Sequence, residues 1–304
     1  MQRRRSLIVI GALVALLAAL VSAAPAQAAP IHGHSRPSQA YYPPTTAHRT
    51  WYLWVGAESA DHAIQGAAFL PRQVWIDAGD TIVWISYSAD IHTVTFLQAG
   101  QSRPQFNPSD PKQSRPYGSH DYDGRSYYNS GLLSTGMGMA RSYSLRFTTP
   151  GAFYYLCLVH PLMYGTVYVR PAGTPYPFAQ ADYNRQIAGA QYQIDGEGAY
   201  LINRAERDAS GRFVYVGIGS RDGVSIMRFI NSTIYIYAGQ TVTFMNGDPQ
   251  MPHTVTFGTH SGNPMTPTGN PYAFDGRSPL NSGYLYPGGS IFRVTFTRPG
   301  TYYY

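Results

Sequence analysis

The only cysteine of this 304-residue chain, Cys157, lies three residues before His160, and His160 lies three residues before Met163. Thiolate, imidazole and thioether groups are soft or borderline ligands, and together they suit copper. An aromatic run leads into Cys157 and a β-branched run follows Gly165, so the three residues fall in a predicted tight loop between two strands. A lone Cys or Met most often fills a core. Three such residues at this spacing favour a metal site instead.

A copper site built on one thiolate needs a second imidazole, because its usual geometry is two His and one Cys with a weak axial Met. The candidate is His92, within a strand pattern at residues 91–96 in which His92 and Val94 face the same side. A strand, a turn at Gly79 and another strand precede it, and residues 69–84 read as a hairpin-like pair. The predicted ligands of one copper ion are His92, Cys157, His160 and Met163.

With these residues in view, the chain resembles the cupredoxins, specifically the plastocyanin and amicyanin branch. The matching features, besides the four ligands, are the run at 78–84, the turn at Pro150-Gly151 and the run at 165–167. The C-x-x-H-P-x-M spacing is similar to that of amicyanin, and the resemblance spans roughly residues 50 to 170. It implies a Greek-key β-sandwich that holds one type 1 copper and passes single electrons. One departure is Thr93, where the family often has Asn or Ser. This residue affects the hydrogen bond to the thiolate and hence the redox potential.

The resemblance also implies a role for each ligand. Cys157 couples copper to the protein, His92 is the buried imidazole, and Met163 is the axial ligand that tunes the potential. His160 is expected to be partly exposed, at an apolar edge where a redox protein docks transiently. The apolar residues that supply this edge are Pro161, Leu162 and Tyr164.

Composition and the N-terminus indicate an exported all-β protein. Charged residues make up 12% of the chain, whereas Tyr (26), Gly (31) and Pro (23) are abundant, which favours strands and turns. The net charge of +6 falls to +3 without the arginines at positions 3–5, too little to indicate nucleic-acid binding. Residues 1–29 have the charged start, apolar centre and small-residue cleavage site of a signal peptide. We expect a periplasmic, extracellular or cell-envelope location with no membrane span after cleavage. Sec and twin-arginine export both stay open.

The second half of the chain repeats features of the first. Residues 213–217, 234–244 and 252–257 mirror 52–56, 74–84 and 91–96, which puts His253 in the place of His92. The counterpart of Cys157 would fall beyond Tyr304. Either the sequence is a fragment of a longer protein or the second domain carries no copper, and we favour the fragment. His120 and His260 are expected to be surface residues, and His32 and His34 belong to a polar leader.

The predicted fold class is all-β, with two tandem Greek-key β-sandwich domains of cupredoxin type joined by a partly helical linker. Residues 97–122 are predicted to be a long loop without regular structure, which covers a face or meets a partner. The predicted boundaries are 1–29 for the signal peptide, 30–49 for a flexible leader, 50–170 for the copper-binding domain, 171–211 for the linker and 212–304 for the incomplete second domain.

Three functions compete at this point. Electron transfer by a type 1 copper protein comes first, and copper storage or delivery with the same ligands is the alternative. A multicopper oxidase or nitrite reductase is disfavoured, because those enzymes place His directly beside the type 1 Cys, and here Leu156 and Leu158 flank Cys157. We therefore expect no enzymatic activity.

Overall fold

The computed structural model describes residues 47–136, 138–259 and 262–304. The predicted signal peptide, most of the leader with His32 and His34, and His260 lie outside the described residues. In the part of the chain that the structure describes, no helix is long and apolar enough to cross a membrane.

The strands up to residue 170 form the first sandwich. They are β1 (Thr50–Glu58), β2 (Ile64–Leu70), β3 (Gln73–Asp77), β4 (Thr81–Ser86), β5 (Thr95–Phe96), β6 (Pro116–Tyr117), β7 (Asp121–Tyr122), β8 (Tyr128–Ser130), β9 (Ser142–Phe147), β10 (Gly151–Leu156) and β11 (Tyr164–Arg170). A short helix, α1 (Pro111–Ser114), precedes β6. Residues 97–122 therefore contain short regular elements, and the prediction that they contain none was wrong. Asp110 accounts for α1, because it accepts a hydrogen bond from the Lys112 backbone N–H and so caps the helix.

A long helix and the second sandwich follow. Helix α2 spans Gln180–Asp208. The later strands are β12 (Phe213–Gly219), β13 (Val224–Ile230), β14 (Thr241–Gly247), β15 (Thr256–Phe257), β16 (Leu280–Asn281) and β17 (Ile291–Thr295), with a 3-10 helix at Pro271–Ala273. The predicted fold class is thus confirmed: two β-sandwiches in tandem with a helical linker.

One sheet runs through both sandwiches. Its strand order is β17-β14-β12-β13-β2-β1-β4-β9-β7, and the antiparallel pairing of β2 with β13 joins the two halves. A six-stranded sheet, β3-β11-β10-β5-β8-β6, packs against the first half, and a two-stranded sheet, β15-β16, belongs to the second. Because the large sheet is continuous, the boundaries predicted for the two domains stay a prediction.

The turn at Gly79 connects the two sheets of the first sandwich. Strand β3 pairs with β11, whereas β4 pairs with β1 and β9, so the predicted hairpin of 69–84 was wrong. Gly79 has φ +99°, a conformation that favours glycine. Asp80, fully buried, accepts hydrogen bonds from the Trp51 Nε1–H at 2.8 Å and from the Tyr176 hydroxyl at 2.9 Å. These bonds connect the turn to the core. Every second residue of β4 is buried in that core, as expected for a strand with one face inside.

The apolar core of the first sandwich is strongly aromatic and includes Cys157 and Met163 of the predicted ligand loop. Tyr155 on β10 packs against Trp84, Phe96 and Phe69, with ring centroids 4.5 to 5.4 Å apart. Close packing of large rings leaves little room for the backbone to move. Strand β10, which leads into Cys157, is therefore tightly packed.

Candidate metal centre

Three of the predicted ligands converge. One donor atom each from His92, Cys157 and His160 lies within 4.8 Å of the others, and all three residues are buried. The Cys157 Sγ lies 3.6 Å from the His160 Nδ1, and the two imidazole rings have centroids 4.7 Å apart. Two residues come from one loop, and the third comes from a segment 65 residues away along the chain, between β4 and β5. Folding therefore assembles the cluster.

The loop between β10 and β11 is closed by its own backbone. The Cys157 N–H donates to the Met163 carbonyl at 2.9 Å, and the Met163 N–H donates to the His160 carbonyl at 3.2 Å. Met163 is itself buried. These bonds give the tight loop between antiparallel strands that the sequence predicted. Met163 as an axial ligand stays a prediction.

His92 is placed by the chain on both sides of it. Its N–H donates to the Leu133 carbonyl at 2.9 Å, and the Leu133 N–H returns a bond at 2.8 Å. Both ring nitrogens of His92 are buried, and neither has a hydrogen-bond partner among the residues that the structure describes. Buried imidazole nitrogens are costly when nothing pairs with them. A metal ion would pair with one of them, so His92 fits a ligand.

The thiolate receives a backbone hydrogen bond from Thr93. The Thr93 N–H donates to the Cys157 Sγ at 3.3 Å, and the Thr93 hydroxyl accepts from the Leu158 N–H at 2.8 Å. The backbone supplies the bond to sulfur, so the replacement of Asn or Ser by Thr does not remove it. The same residue also fixes the peptide that follows the cysteine.

The charge balance of the cluster favours a thiolate. Burial by itself raises the pKa of Cys157, but the adjacent imidazoles of His160 and His92 outweigh it and hold that pKa well below its ordinary value. Burial likewise opposes the charged form of His160, yet its hydrogen bond to Asp90 and its contact with Cys157 raise the pKa of the imidazole. A thiolate is the form in which cysteine binds a metal.

His160 is the residue whose surroundings differ most from the expectation. It was predicted to be partly exposed, and its exposed fraction is 0%. The Asp90 carboxylate lies 3.0 Å from its Nε2, and the sulfur of Met251, from the second sandwich, lies 3.1 Å from the same atom. The prediction failed because the covering residue comes from the other half of the chain.

Three further residues shape the centre, and sequence reasoning gave them no role there. Gly56 lies at a bulge of β1 with φ +71°, and a Cβ built on it would be 2.4 Å from the His92 Nε2. Arg103, in the loop after β5, donates to the carbonyls of Cys157 and Leu158 at 3.2 and 2.6 Å. Asp90 is the third. The internal repeat offered a signal for Gly56, because Gly217 occupies the matching position in the second half. A Cβ built on Gly217 would likewise lie 2.5 Å from the His253 ring.

Neither His120 nor His253 joins the cluster. His120 is exposed, as predicted. His253 has its Nε2 3.7 Å from the Asp248 carboxylate and faces Gly217. Among the described residues, no group of His, Cys, Asp and Glu side chains other than His92, Cys157 and His160 is arranged to hold a metal ion.

Comparisons with known proteins identify only structural neighbours. No protein-family model matches the chain, and no curated protein sequence does. Amicyanin from Paracoccus versutus (Thiobacillus versutus) is 18% identical, with 40% of this chain and 81% of that chain covered and a TM-score of 0.26. The Cu(I) form of an amicyanin mutant is 19% identical, with 44% of this chain and 95% of that chain covered and a TM-score of 0.27. A mutant plastocyanin of fern is 20% identical, with 39% of this chain and 99% of that chain covered and a TM-score of 0.26.

These neighbours are copper proteins of the family that the sequence resembles, but TM-scores this low are too weak to argue from. The site is therefore judged on its own side chains. A buried cysteine and two imidazoles are three of the ligand types of a type 1 copper centre, whose remaining ligand is a weak axial Met. The Thr93 N–H directed at the sulfur is compatible with the thiolate form. The residues present fit that metal.

Proposed function

We propose that this chain is an exported type 1 copper protein that carries single electrons through a site in its first sandwich. The observation that carries the proposal is the buried triad of His92, Cys157 and His160, whose donor atoms lie within 4.8 Å of one another. A bound copper ion supplies one-electron chemistry by alternating between its cupric and cuprous forms. Export rests on the signal-like residues 1–29 alone.

The residues of the chain have distinct parts in this function. Cys157 supplies the thiolate, and the Thr93 N–H lowers the electron density on its sulfur. His92 and His160 supply imidazoles from two separate segments, and Met163 is proposed as the weak axial ligand. Because strand packing and backbone hydrogen bonds hold these groups, little rearrangement is needed when the charge of the site changes.

Exposed apolar side chains in the ligand loop support the proposal of electron transfer. Leu162 is 47% exposed and Tyr164 is 50% exposed, next to the exposed Pro161. The Arg72 guanidinium lies over the Tyr164 ring, 4.7 Å from its centroid. We propose that a redox protein contacts this small apolar patch transiently, as weak redox encounters do.

Copper storage or delivery is the second candidate, and the geometry favours it less. A protein that hands copper on needs ligands that a chelating partner can reach. Here all three ligands of the cluster are buried. An enzymatic role is not proposed, because no histidine flanks Cys157 to connect it to a second metal.

A redox titration of the copper-loaded mature chain tests the proposal. The expected result is an intense visible charge-transfer band that disappears and returns reversibly with one electron per protein. Cys157→Ser should abolish the band, and the control His120→Ala, at an exposed position, should keep it. A colourless copper complex, or copper that leaves at each reduction, would favour storage and contradict electron transfer.

A further inference from the structure

The Nε2 edge of His160 is held from both sandwiches. Asp90, in the loop after β4, lies 3.0 Å from this nitrogen, and Met251, in the loop after β14, lies 3.1 Å from it. Building on the proposed copper function, we propose that Asp90 and Met251 are positioning residues of the centre. Asp90 orients the His160 ring by accepting its Nε2–H, and Met251 excludes water from the same edge.

Asp90 is itself fixed in place. Its backbone N–H donates to the Ser88 hydroxyl oxygen at 3.0 Å, and its carboxylate accepts from the Ile91 N–H at 2.7 Å. The Ser88 hydroxyl in turn donates to the Gln65 Oε1 at 2.6 Å. A carboxylate that accepts the distal N–H of a metal-binding histidine fixes the tautomer and orientation of the ring and increases its basicity. Asp90 is built to do this for His160.

Met251 lies on an equally ordered loop. The buried Asp248 carboxylate accepts from the Met251 N–H at 3.0 Å and from the Gln250 N–H at 2.8 Å. The Asn246 side chain donates to the Met251 carbonyl at 2.9 Å and is fully buried. These hydrogen bonds fix the backbone of the loop that carries Met251. The position of the thioether beside His160 is therefore defined by the loop and not by a flexible segment.

The support of Asp90 starts at the seam between the sandwiches. Gln65 on β2 is the register partner of Ser225 on β13 across this seam, and Gln65 accepts from Ser88, which leads to Asp90. The Asp90 side of the His160 edge is therefore tied to the strand that pairs with the second sandwich. The second sandwich completes the copper site of the first.

The two residues should affect the reduction potential in opposite directions. The negative charge of Asp90 favours the more positive cupric site, so removing this charge raises the potential. Met251 keeps water away, and water also stabilises the more highly charged cupric state. Opening this edge should therefore lower the potential, because solvent access and dielectric around a site control its redox behaviour.

Three variants of the full mature chain test the proposal by protein-film voltammetry and by copper release to a chelator. Asp90→Asn should raise the potential and weaken copper binding about 10- to 100-fold. Met251→Ala should lower the potential and release copper faster, by about tenfold. Met251→Leu keeps an apolar side chain of similar size and should behave like the parent. The matched controls are Asp222→Asn and Met265→Ala, at exposed positions.

The outcomes separate this inference from the proposed function. If the unsubstituted protein shows no reversible blue band, the proposed copper function itself is contradicted. A blue parent whose Asp90 and Met251 variants match the controls overturns only the positioning roles. If Met251→Leu shifts the potential as far as Met251→Ala, exclusion of water is not the role of Met251. Should Met251→Ala fail to fold, Met251→Val, which removes less of the side chain, replaces it.

Discussion

At the scale of single residues, the convergence of three candidate ligands could be predicted where their chemistry is distinctive. Cys157 and His160 were chosen as candidates because a lone cysteine close to a histidine and a methionine is an uncommon combination. His92 was found because its strand pattern resembles that of a known family. Asp90 and Met251 were not found, because an aspartate and a methionine in loops are ordinary, and their meeting at His160 depends on how the two sandwiches pack.

Gly56 provides a residue-scale prediction for the packing around His92. In Gly56→Ala the new Cβ would overlap the His92 Nε2, which a Cβ at this position approaches to 2.4 Å. We expect the ring to be displaced and copper binding to fall at least tenfold, as measured by competition with a chelator.

Gly100→Ala is the matched control for this variant. Gly100 also has a positive φ, +78°, but no described residue lies within 4 Å of a Cβ built there. It should lose about 1 kcal/mol of unfolding free energy from backbone strain and keep its copper affinity. Equal copper affinities in the two variants would show that copper binding by His92 does not depend on the absence of a side chain at Gly56.

At the scale of elements, the two strands on either side of the ligand loop, β10 and β11, were predicted correctly. The two strands that join the sandwiches, β2 and β13, were not predicted. Consecutive residues are buried at the start of each strand, so their sequences lack the regular alternation of apolar and polar residues that indicates a strand. The linker helix was expected only in part, since three glycines weaken it. The structure extends it over Gln180–Asp208, because tertiary packing overrides low helix propensity.

The glycines of α2 give an element-scale prediction. A Cβ at Gly198 would approach the Ile64 side chain of β2 to 2.5 Å, whereas a Cβ at Gly196 would meet nothing within 4 Å. Gly198→Ala should therefore lower the free energy of unfolding by about 1 to 3 kcal/mol through overpacking. Gly196→Ala should raise it by about 0.5 to 1 kcal/mol through helix propensity. Urea denaturation measures both, and two variants of equal stability would contradict the close contact of α2 with the seam.

At the scale of the whole molecule, the two sandwiches share a sheet, a helix and a site edge. The β2–β13 pairing lies in the middle of the nine-stranded sheet, and α2 packs on Ile64 and Ile226 across the seam. Resemblance to a family covers only the first part of the chain, so it gives no information on this junction. That is why the sequence predicted a partly exposed His160, whereas the second sandwich covers it.

This continuity predicts cooperative unfolding. We expect one calorimetric transition for the full mature chain. Copper should raise the midpoint temperature of this single transition, because a ligand that binds only the folded state stabilises the whole cooperative unit. Two transitions, of which copper shifts only the first, would show that the sandwiches unfold independently.

The central claim is that His92, Cys157 and His160 together bind one copper ion as a type 1 centre. Electron paramagnetic resonance of the full mature chain with one equivalent of Cu(II) tests it most directly. We predict a narrow copper hyperfine splitting that is lost in Cys157→Ser. A wide splitting typical of tetragonal copper, unchanged by that substitution, would contradict it.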